Sequence, residues 1–140
     1  MAAVAAAIVA AFLAGAIALF RERRLEARRL RVAARITQAT LMEALNNARN
    51  VSSGNVRWSN FMLKPSEQEI VKAWSDHREI LAGHLSRSQW TSVYVGFHAY
   101  LLLFHLGKDA GSENRDWGPM WEEIQGCLIT ASDALETYCA

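Results

Sequence analysis

Apolar and polar positions follow two different plans along this chain. From Ala2 to Phe20 the sequence AAVAAAIVAAFLAGAIALF carries no charge; as a helix its nineteen residues cover ~28 Å, close to the ~30 Å hydrocarbon core of a bilayer. Beyond Ser66 the apolar residues instead recur at intervals of three and four, the mark of helices that bury one face.

The first plan predicts a transmembrane signal anchor over residues 1–20. Arg21, Arg23, Arg24, Arg28, Arg29, Arg31 and Arg35 crowd its exit side, and basic residues favour the cytoplasmic face. The expected topology is a single pass at the cell membrane, N-terminus outside, with everything after residue 20 in the cytoplasm. A cleaved secretory signal is the alternative. It usually opens with a basic region, whereas only Met1 precedes this stretch, although Ala14-Gly15-Ala16 imitates a cleavage site. Ala3, Ala7, Ala11 and Gly15 recur every four residues and form a small-residue ridge along which another membrane helix can approach.

Residues 21–49 contain neither Pro nor Gly and are rich in Ala, Leu, Arg and Glu, so the first helix is expected to continue as a basic juxtamembrane helix. Its apolar stripe is Leu25, Val32, Ile36, Ala39, Leu41, Leu45 and Ala48, broader than a coiled-coil seam. Residues 50–65 form a connection that opens on the turn cluster NVSSGN and carries Trp58, Phe61, Met62 and Leu63, residues suited to tucking a loop onto a core.

Residues 66–140 read as a helical hairpin plus a C-terminal helix, packed with the juxtamembrane helix. Ser66 and Glu69 make a capping box for a helix whose apolar face is Ile70, Ala73, Trp74, His77, Ile80, Leu81 and Leu85. A second box, Ser86-Arg87-Ser88-Gln89, starts the next helix at once, with Trp90, Val93, Tyr94, Phe97, Leu101 and Phe104 inward. So short a connection makes the two antiparallel neighbours. The polar stretch Gly107–Gly118 separates them from a last helix begun by Pro119, which buries Met120, Trp121, Ile124, Leu128, Ala131, Leu135 and Tyr138. The fold class is therefore all-α, a bundle of about four helices led by the anchor.

Charge sharpens this picture. Residues 1–35 hold seven Arg and two Glu, a balance of +5, while residues 36–140 hold eight basic and twelve acidic side chains, a balance of −4. An Arg cluster beside an anchor reports topology, and no nucleic-acid partner is expected. Arg21, Arg23, Arg24 and Arg28 are instead the expected contacts to anionic lipid headgroups, at ~1 kcal/mol each. Cys127 and Cys139 are too few for a disulfide scaffold, and a twelve-residue separation on one helix puts them ~18 Å apart. Five Trp, five Phe and three Tyr argue against disorder, and the Ala- and Arg-rich start has the composition of a GC-rich bacterial genome.

Candidate chemistry is sparse. His77 with His84 and His98 with His105 are pairs seven residues apart, ~10.5 Å along a helix, so one metal ion would need a ligand from each helix. The hairpin register makes His77 and His98 the pair that meets. No Gly-x-Ser-x-Gly, phosphate loop, His-Glu-x-x-His or Cys-x-x-Cys occurs, and no cofactor is expected. The reading that follows is a membrane-anchored helical module, more an interaction protein than an enzyme, which pairs with its own copies or with another membrane or cytoplasmic protein. The alternative is a metal- or small-ligand-binding bundle using His77 and His98. Trp117, beside Asp116 in the polar stretch, is the candidate partner contact.

Overall fold

A stretch without proline, rich in Ala, Leu, Arg and Glu and with Gly15 its one glycine, makes a single helix of everything from Ala2 to Ser52. A computed structural model describes residues 2–52, 67–109 and 118–140. They form four helices: α1 (Ala2–Ser52), α2 (Glu67–His84), α3 (Arg87–Asp109) and α4 (Gly118–Cys139). No strand occurs among the described residues. Ser66, Trp58, Phe61, Met62 and Leu63 lie outside them.

The α2–α3 corner is built as its capping box requires. The backbone N–H of Ser86 donates to Gln89 Oε1 at 3.0 Å, and the backbone N–H of Gln89 donates to Ser86 Oγ at 3.3 Å. Trp74 of α2 then lies stacked between Trp90, at 5.6 Å, and Phe97, at 4.4 Å, which fixes the hairpin's register. At its far end α3 continues to Asp109, two residues past Gly107, where the sequence suggested a loop.

Long-range hydrogen bonds set the other directions. Arg35 Nε donates to the Cys139 carbonyl at 2.8 Å and Gln38 Nε2 to the Ser132 carbonyl at 3.2 Å, so α1 and α4 run antiparallel. The Tyr138 hydroxyl donates to Gln89 Oε1 at 3.0 Å, while Gly96 meets Ala131, so α3 and α4 are antiparallel as well. The common core centres on Leu41, Leu45, Leu81, Val93, Leu128 and Leu135, all fully buried.

The face of α1 differs from the expected stripe. Leu25, Val32, Ile36 and Ala39 are exposed, and the buried row is Ala33, Ala34, Thr37, Leu41, Ala44, Leu45 and Ala48. Small residues win because α1 packs closely on its neighbours, α4 above all, and an alanine methyl fills a space in which a longer side chain would hold the backbones apart. On α3, Tyr94 is likewise exposed, while Tyr100 and Leu103 are buried. That helix packs against both α2 and α4, so its buried surface is wider than one stripe.

The expected single-pass anchor is corrected. Among the described residues no helix is long and apolar enough to cross a membrane. Of the twelve residues from Val9 to Phe20 six are Ala or Gly, side chains that add little apolar surface. The assigned localisation, with N-terminus outside and the remainder cytoplasmic, falls with the anchor.

Candidate contact surface

Only the second half of α1 belongs to the bundle. Burial begins at Leu30, and every described side chain from Val9 to Arg29 is exposed, so α1 stands out from the bundle as an arm. Alanine keeps this arm helical without tertiary help, but does nothing to hide its larger side chains. Val9, Phe12, Leu13, Ile17, Leu19 and Phe20 are all more than half exposed, with Phe12 at 76%.

At 100° per residue these six side chains occupy roughly 160° of the helix circumference. Ala10, Ala11, Ala14, Gly15 and Ala18 fill the opposite side. Ala7, Ala11 and Gly15 of the expected ridge are exposed in a row, and the side chain of Ala3 lies outside the described residues. A Cβ on Gly15 would touch nothing within 4 Å. Along one flank of this row Ala11, Phe12, Gly15, Ala16 and Leu19 enclose a shallow apolar depression.

The arginine collar follows directly. Arg21, Arg23, Arg24 and Arg28 are exposed, and none takes part in an ion pair among the described residues. Arg24 folds back so that its guanidinium lies 4.4 Å from the centre of the Phe20 ring, a cation–π contact at the junction of apolar arm and collar. The opposite charge sits on α4, where Glu122, Glu123, Asp133 and Glu136 are all exposed.

The histidines occupy separate settings. His77 is half-buried in the cleft between α1 and α2, beside Ile36, Thr40 and Trp74. His98 is exposed on α3 and packs on Tyr94, ring centres 4.3 Å apart. His84 Nδ1 lies 2.8 Å from the Ile80 carbonyl oxygen, and His105 Nε2 lies 3.5 Å from Glu67 Oε1. Among the described residues no group of three or more His, Cys, Asp or Glu is placed to hold a metal ion. Cys127 and Cys139 are free thiols, and burial pushes the Cys139 thiol upward despite the neighbouring Arg35. Trp117 lies outside the described residues.

One feature of this surface escaped the sequence reading: a groove at the base of the arm, between Leu25 and Val32 of α1 and Ile80 of α2. Its signal is the Leu25, Val32, Ile36 spacing, which reads as a core stripe although all three side chains stay exposed. No family model matches the chain, and neither a curated protein nor a solved structure shows similarity to it.

Proposed function

We propose that this protein works by protein–protein contact, with the four-helix bundle as a mount and the arm of α1 as the element that binds, its first partner being a second copy of the chain. One observation carries the reading: six large apolar side chains between Val9 and Phe20 stand more than half exposed on a helix whose other half is packed. Covering six such side chains is worth on the order of 10 kcal/mol before association costs, which themselves run to about 4–15 kcal/mol. A second copy brings the same surface and roughly doubles the apolar area covered. Pairing through the faces that carry the six large side chains buries them, and an antiparallel arrangement keeps the two arginine collars apart.

A photo-crosslinking residue at Leu13 of the full-length chain, activated in cells, tests this. The proposal expects an adduct of twice the chain mass. A heterologous adduct keeps the contact function and replaces the partner, and the absence of any protein adduct overturns it.

The exposed guanidinia favour a second reading, in which Arg21, Arg23, Arg24 and Arg28 rest on an anionic lipid headgroup layer from one side. Replacing Arg21, Arg23 and Arg24 with Gln should then abolish a preference for anionic over neutral liposomes. An unchanged preference removes this reading.

A further inference from the structure

At the base of the arm α1 and α2 part, leaving an open groove of about 380 Å³. This lies within the ~300–1,000 Å³ common for small-molecule sites. Its lining divides by chemistry. Leu25 and Val32, each 54% exposed, and the half-buried Ile80 supply an aliphatic strip. Arg28 and Arg29 flank that strip, and neither is in an ion pair among the described residues. His77 lies on the α2 wall.

The one acid on the wall is Asp76, and it is already engaged. Lys72 Nζ donates to Asp76 Oδ2 at 2.8 Å, which holds that carboxyl below its ordinary range, so the pair adds no net charge to the groove. What remains is an apolar floor under two unpaired guanidinium groups. The planar guanidinium prefers an anion that accepts two parallel hydrogen bonds, such as a carboxylate or phosphate. The aliphatic strip of Leu25, Val32 and Ile80 suits a flexible hydrocarbon chain. The arm of a second copy is a poor occupant, because its own Arg21, Arg23 and Arg24 would approach Arg28 and Arg29.

We propose that this groove binds a single-chain anionic amphiphile of the fatty-acid class, its chain along Leu25, Val32 and Ile80 and its carboxylate against Arg28 or Arg29. The site does not depend on self-association of the arm, since it lies within one chain. Ligand burial covers Leu25 and Val32, side chains that the core leaves in water.

The test is calorimetric titration of the full-length chain with dodecanoate below its micelle concentration. Saturable binding of one dodecanoate per chain is expected. Dodecanol, of the same length without charge, and the double variant Arg28→Gln/Arg29→Gln should each bind about tenfold more weakly. Val32→Asp, at an exposed position that does not threaten the fold, should reduce binding as well. Leu13→Asn, on the arm, should leave binding intact while weakening self-association, which separates this site from the contact surface. The proposal is overturned by the absence of saturable binding, by equal binding of dodecyltrimethylammonium, or by loss of dodecanoate binding in Leu13→Asn alone. Binding only to phosphatidylglycerol vesicles, with none to monomeric dodecanoate, would overturn it in favour of a lipid surface.

Discussion

Gly96 of α3 and Ala131 of α4 meet with no room for one more methyl group: a Cβ on Gly96 would overlap the Ala131 methyl and stand 3.2 Å from the Cys127 carbonyl oxygen. Helix backbone lies on both sides of the contact, so neither partner can swing away. Gly96→Ala should therefore lower stability by about 1–3 kcal/mol through overpacking. Gly126, on an open face of α4, has nothing within 4 Å of its missing Cβ. Gly126→Ala should raise stability by about 0.5–1 kcal/mol. Urea unfolding of the two variants checks both signs, and equal effects would contradict the close approach.

Gln89 serves two structures with one oxygen, accepting from the Ser86 backbone at 3.0 Å and from the Tyr138 hydroxyl at 3.0 Å. Ser86→Ala removes a cap and should cost about 1 kcal/mol. Gln89→Ala removes the cap's return bond and the tie to α4, and should cost more. A double-mutant cycle between Gln89→Ala and Tyr138→Phe should show positive coupling.

The buried phenol of Tyr100 sets a limit on the alkaline side. Burial chiefly, with the Glu43 carboxylate adding, pushes its pKa from 10.0 up to about 12. The unfolded chain gives up this proton first. Stability supplied by the neutral phenol is complete below pH 10 and is lost as pH rises through about 12. Tyr100→Phe has no such proton, so it should lose less stability over that interval, by about 1–2 kcal/mol. Chemical denaturation at about pH 8 and about pH 11.5 measures the difference.

Because the arm takes no part in the core, polar substitutions there should leave the bundle's stability nearly untouched. Leu13→Asn and Ile17→Asn should each stay within about 0.5 kcal/mol of the parent. Leu128→Ala, at a fully buried position, should cost about 2–5 kcal/mol. Thermal melts followed by circular dichroism distinguish the two classes, and an arm variant as damaging as Leu128→Ala would place the arm inside the folded unit.

Much of the bundle is legible in the sequence, and the exceptions share a cause. The α2 face, with Ile70, Trp74, Leu81 and Leu85 buried, and the α4 face, from Trp121 to Leu135, follow their spacing because each presents its bulkiest side chains inward. The second capping box forms with both of its expected hydrogen bonds. On α1 the rule inverts. Ranking positions by side-chain size selects Leu25, Val32 and Ile36, whereas close helix packing buries Ala33, Ala34 and Ala44. Size was also the wrong guide to the N-terminal segment, whose uncharged length resembles an anchor, and to Tyr94, which lies on α3 beyond its two-sided burial. The groove at the arm base is hidden for the same reason, since the spacing of Leu25, Val32 and Ile80 is that of core residues.

Helix α1 passes from arm to bundle without a proline or a break. Phe12 and Leu45 are therefore ends of one rod, ~50 Å apart along its axis. Whatever grips the arm fixes the heading and the rotation of the bundle together, to within the gentle curvature long helices show. Two chains joined at their arms would form a dumbbell of defined span. The first helix then acts as a ruler, setting how far apart two bundles stand and which faces they turn to their surroundings.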